Sequence, residues 1–124
     1  MRRATLLIGL ILAVAAPAVA LGSASKPTSV GVSEREWRLS LYRARVPAGV
    51  LKLNVHNYGE DGHDLAVRNR TGHVVAALGE LRPDGNGTLR VRLGRGHYRV
   101  FCSLEGHEAK GMHARLTVVK RRSR

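Results

Sequence analysis

The sequence is poor in the features that usually stabilise a small exported protein. It has one cysteine, Cys102, so no disulfide can form within the chain. A lone thiol in an oxidising compartment is a liability unless it is buried, bound to a metal or catalytic. Methionine is nearly as scarce: apart from Met1, the only one is Met112. Acidic residues number 9 against 21 Lys and Arg. After the N-terminal run, no apolar stretch is long enough to span a bilayer. No internal repeat is visible, and no later segment has a convincing helical period.

What is present at the N-terminus has the anatomy of a secretory signal. Met1-Arg2-Arg3 is a positive start, Ala4 to Ala16 an uncharged apolar run, and Ala18-Val19-Ala20 an A-x-A cleavage site. An uncleaved membrane anchor is the alternative reading. No Cys follows the run, so a lipid anchor on a diacylated Cys is excluded, and the residues after Arg2-Arg3 fit a twin-arginine signal poorly. Cleavage of residues 1–20 removes 20 of 124 residues and leaves 104, enough for a two-sheet core. It also removes Arg2 and Arg3, leaving 19 basic against 9 acidic residues, a net +10. Such a charge favours acidic partner proteins or an anionic membrane or cell-wall surface. Export argues against nucleic acid, and a role in solubility alone is the plainer alternative.

Residues 21–29 read as a flexible leader, residues 30–119 as one domain, and residues 120–124 as a basic, frayed tail. Within the domain, apolar and polar residues alternate: Trp37, Leu39 and Leu41; Leu51, Leu53 and Val55; Leu89, Val91 and Leu93; Ala114, Leu116 and Val118. Period-two alternation marks half-buried strands. Turn-forming runs such as Pro47-Ala48-Gly49, Arg82-Pro83-Asp84-Gly85 and Gly94-Arg95-Gly96 separate them. The pattern predicts an all-β, antiparallel β-sandwich of seven to eight strands.

The scarce residues converge. Cys102, His107 and Met112 follow one another with four residues between each pair. Parity along Tyr98–Cys102 sets Cys102 on the face opposite Arg99 and Phe101, which turns it toward the core. Gly106 and Gly111 let the loop fold back, so a thiolate, an imidazole and a thioether can reach one point. A fourth ligand must come from elsewhere. His63 opens a strand in which it shares parity with Leu65 and Val67, and so faces inward. An inward His is often only a core residue, and the neighbouring Cys-x4-His-x4-Met pattern is what makes it a ligand candidate. Structural zinc sites use Cys and His but not Met, whereas two His, one Cys and a weak Met suit copper in an electron-transfer site. A Cys–His nucleophile pair is the rival reading, but it lacks a third orienting residue and leaves Met112 without a role. His56, His73, His97 and His113 lie on outward positions or near turns and read as surface histidines.

Gly96-His97-Tyr98-Arg99-Val100-Phe101-Cys102, Gly106-His107, Gly111-Met112 and Val46-Pro47-Ala48-Gly49 through Asn57 to His63 occur in the order and spacing seen in cupredoxins. The chain from about Glu36 to Val119 resembles that family, which includes plastocyanins, azurins and auracyanin-like proteins. The resemblance implies a Greek-key sandwich, one type 1 copper held by His63, Cys102, His107 and Met112, and one-electron transfer between redox partner proteins. It implies no chemistry on a substrate. Asn57 resembles the Asn that precedes the first ligand's turn. Asp64 departs from the pattern, which has an Asn bracing the ligand loop there; an Asp keeps the acceptors and loses the amide donors. The expected protein is an exported monomer, periplasmic or extracellular, with copper trafficking or storage as the alternative to electron transfer.

Overall fold

The computed structural model describes Gly22 and residues 24–123, so the expected signal segment 1–20 lies outside the described residues. Among the described residues, nine strands form two sheets. One sheet has the order β2 (Arg38–Leu41), β1 (Thr28–Arg35), β4 (Gly49–Asn57), β7 (Asn86–Leu93). The other has the order β3 (Arg45–Pro47), β9 (His113–Val119), β8 (Gly96–Phe101), β5 (His63–Asn69), β6 (Val74–Leu81). The inward rows predicted from alternation meet between the sheets. Leu51, Leu53 and Val55 of β4 pack with Leu65, Val67, Val100, Leu116 and Val118 of the second sheet, all buried. A single turn of helix, α1 (His107–Lys110), interrupts the β8–β9 connection.

The sandwich departs from the expected one in several respects. The sheets are mixed: β1 runs parallel to β4, with Thr28 opposite Leu51 and Glu34 opposite Asn57, and β3 runs parallel to β9. Period two is the same in parallel and antiparallel strands, so alternation cannot reveal the direction of pairing. The ninth strand arises because Leu39–Pro47 is divided into the short β2 and β3 on different sheets. β1 begins at Thr28, two residues before the expected domain start.

Two side chains also differ from the parity reading, and one differs from the expectation of a frayed tail. Trp37 leaves the strand register and sits in the β1–β2 turn. Phe101, expected to face out, is buried, because the Arg68 guanidinium lies over its ring at 4.4 Å. In the tail, Arg121 is docked: its Nε donates to the Ala48 carbonyl at 2.9 Å.

Strand polarity gathers the sequence's chemistry at one end of the sandwich. The starts of β5 and β9, the end of β8 and the β1–β2 turn all lie there. His63, Cys102, Met112 and Trp37 therefore come together although they are distant in the chain.

Candidate metal centre

Cys102 follows the last residue of β8 and is fully buried. Its backbone N–H donates to the Met112 carbonyl at 3.0 Å, which ties the two ends of the loop together as β9 begins. Within the loop, the N–H of His107 donates to Leu104 O at 3.0 Å and that of Met112 to His107 O at 3.1 Å. Gly106, at φ 76°, and Gly111, at φ 126°, make the reversals that the sequence assigned to them. Gly111 has a second constraint: a Cβ there would lie 2.8 Å from the Trp37 carbonyl oxygen.

The loop brings three donors to one place. His63 Nδ1 lies 3.2 Å from His107 Nδ1, and Cys102 Sγ lies 3.5 Å from His107 Nδ1. The three ligand atoms all fall within 4.8 Å of one another. Met112 is fully buried at the end of the same loop. His56 is bound instead to Asn86 and Asp84, His97 lies beside Thr117, and His73 and His113 are exposed.

The surroundings of each donor are specific. Burial pushes the Cys102 thiol up to about 11, even though backbone N–H groups of Asp64 and Leu104 pull the other way. The Asp64 N–H points at the sulfur from 3.4 Å. Without a bound cation, burial therefore favours the protonated thiol over the thiolate here.

His63 is fully buried, and its Nε2 lies 2.7 Å from Glu36 Oε1. Glu36 in turn accepts the backbone N–H groups of Asp61 at 2.9 Å and Glu60 at 3.0 Å. These bonds hold its carboxyl down at about 2. Asn57 shapes the turn that supplies those N–H groups. It donates to Asp61 O and Leu81 O and accepts from Gly59 N–H.

The imidazole of His107 is half-buried, and the Trp37 ring lies edge-on to it at 4.8 Å between centroids. Lys110 Nζ stands 4.0 Å over the outer face of that Trp, which remains 36% exposed. Glu108 does not carry free negative charge at the loop: Arg68 and Arg99 both pair with it, Arg99 at 2.7 Å.

Sequence reasoning missed Glu36 and Trp37. Both lie in the β1–β2 turn, whose approach to His63 depends on sheet packing. It also missed the buried Glu34, although Val30, Val32 and Glu34 share one parity and that signal was legible.

Neither a family model nor a curated protein sequence matches this chain. Solved structures do. Auracyanin B aligns with a TM-score of 0.66 at 20% identity, over 74% of this chain and 88% of that one. Rusticyanin from Thiobacillus ferrooxidans aligns with a TM-score of 0.65 at 17% identity, over 77% and 79%. Auracyanin A from Chloroflexus aurantiacus aligns with a TM-score of 0.57 at 15% identity, over 76% and 100%. The chain has the cupredoxin fold. Within this cupredoxin fold, Asp64 still braces the ligand loop. Its two carboxylate oxygens accept the backbone N–H and the hydroxyl of Ser103, the residue after Cys102. Those contacts need acceptors only, so the missing amide donors are not required for them.

Proposed function

We propose that the protein is an exported mononuclear blue-copper protein that transfers single electrons between redox partners and catalyses no reaction on a substrate. The observation that carries this reading is the convergence of the buried His63 and Cys102 with the half-buried His107 at the end of a sandwich. Two imidazoles and a thiol form a borderline-to-soft donor set, and Met112, buried in the same loop, would add a thioether donor to it. The similar auracyanin A is described as a "blue" copper protein.

Bound copper would supply a one-electron couple. The residues around it prepare the donors. Glu36 accepts the Nε2 proton of His63, which leaves the Nδ1 lone pair facing Cys102 and His107. Cys102 would hold the metal as a thiolate, which the Asp64 N–H, 3.4 Å from the sulfur, is placed to support. His63 and Cys102 are fully buried and His107 only partly, so the His107–Trp37 edge is where a redox partner comes nearest to the donor set. A closed, buried set suits electron transfer better than release of metal to another protein. Residues 1–20, as a secretory signal, would deliver a monomer to the periplasm or the exterior.

The test is the visible spectrum of the purified protein loaded with Cu(II). One copper should bind per chain, with intense thiolate-to-Cu(II) absorption that bleaches on mild reduction and returns on reoxidation. Cys102→Ala should fold and remain colourless. A colourless wild-type protein would overturn the copper reading. Loss of copper in each redox cycle would overturn the electron-transfer role in favour of trafficking.

A further inference from the structure

The charges of this protein are sorted along the long axis of the sandwich. All nine carboxylate residues of the sequence lie at the metal end. Glu34, near the end of β1, lies opposite Asn57, and Glu36, in the turn that follows, lies beside His63. Glu60, Asp61 and Asp64 flank the β4–β5 loop, and Glu80 packs against Gly62 of that loop. Asp84 bonds through its N–H to Asn57 O, and Glu105 and Glu108 belong to the Cys102–Met112 loop.

The opposite end has no acid. It is formed by the β5–β6 and β7–β8 turns, the chain after β2 and the segment after β9. Arg43, Arg45, Arg70, Arg95, Lys120 and Arg122 are exposed there. Arg121 is anchored to Ala48 between them, which holds the start of the tail against the domain.

We propose that this acid-free end is a docking surface for a bilayer containing anionic phospholipids, held so that the metal end faces away from the membrane. Three observations favour a bilayer over an acidic redox protein. The cations come from the strand ends of both sheets, which suits contact with a plane of headgroups. The start of β1 and the end of β9 both lie here, so the basic segment after Val119 adds its cations to this same end. Tyr42, 78% exposed, precedes Arg43 in the chain with its ring over Gly31 of β1, so an exposed aromatic borders the cationic end, as is common at a membrane–water interface. An acidic protein bound here would also sit a full strand length, about 20 Å, from Cys102. Each cation within reach of an anionic surface strengthens partitioning about fivefold.

The test measures vesicle co-sedimentation of the protein without copper, so its outcome is independent of the metal assignment. Two double variants lose the same net charge: Arg70→Glu with Arg95→Glu at the acid-free end, and Arg38→Glu with Arg82→Glu at the metal end. Circular dichroism checks that both fold. The protein should bind phosphatidylcholine vesicles containing phosphatidylglycerol, and binding should weaken as salt rises. The first variant should lose more than about tenfold in affinity and the second less than about threefold. Equal losses would mean that net charge alone acts and would overturn the proposal. Equal binding to pure phosphatidylcholine would assign the attachment to apolar contact and overturn it too. No binding to anionic vesicles would leave an acidic protein as the partner class and reject the bilayer.

Discussion

Glu34 is a buried acid with nothing to bind. It is fully buried on the inner row of β1, and neither carboxyl oxygen has a hydrogen-bond partner. Burial, reinforced by the negative charge of Asp64, raises its pKa from an ordinary 4.5 to about 8. The folded protein therefore keeps this proton up to about pH 8, whereas the unfolded chain releases it near 4.5. Between those values unfolding releases a proton, so rising pH favours the unfolded state. Each pH unit in that window costs about 1.4 kcal/mol. From about pH 5 to about pH 8 the loss is on the order of 4 kcal/mol, a large part of the stability of a small domain. Glu34→Gln keeps the shape and cannot ionise. It should match the wild type near pH 5 and exceed it in stability by up to about 4 kcal/mol near pH 8. Urea unfolding of the copper-free protein at several pH values measures this, as a midpoint difference of about 1 to 4 M at the alkaline end. The difference between the two proteins isolates Glu34 from histidines titrating in the same range. Parallel pH profiles would refute the argument, because they would mean that Glu34 is ionised and solvated in the folded state.

Two further substitutions test the frame of the site. Glu36→Ala should weaken copper binding about 10- to 100-fold in a chelator competition, because His63 loses the acceptor that orients it, while Glu36→Gln should recover much of that loss; equal affinity in all three proteins would show that His63 is held by packing alone. Glu36 also carries an acid-side signature: with its carboxyl held near 2 in the fold, its contribution is complete above about pH 4.5 and disappears as pH falls toward 2, a dependence that Glu36→Gln should remove. Gly111→Ala should cost about 2 kcal/mol or more in thermal or urea unfolding, since it combines a positive φ with a Cβ crowding the Trp37 carbonyl; a neutral effect would mean that the loop readily adopts another path.

The ligand loop was legible in the sequence because its chemistry is local. Cys102, His107 and Met112 lie within a few residues of one another, and two glycines at the required reversals leave the loop few ways to fold. The inward rows of the sandwich were legible because side-chain direction in a strand follows parity whatever the partner strand is. For the same reason parity could not give the direction of pairing, and the parallel β1–β4 and β3–β9 contacts came only with the fold. Parity also failed where a neighbour changed a residue's surroundings, as when Arg68 covers Phe101. The contacts that tune the site are long-range: Glu36 reaches His63 across 27 residues and Arg68 reaches Glu108 across 40. Composition established an excess of positive charge but not its place. Strand polarity alone decided that the acids gather around the metal end and leave the other end bare, because each turn goes to whichever pole its strands run toward.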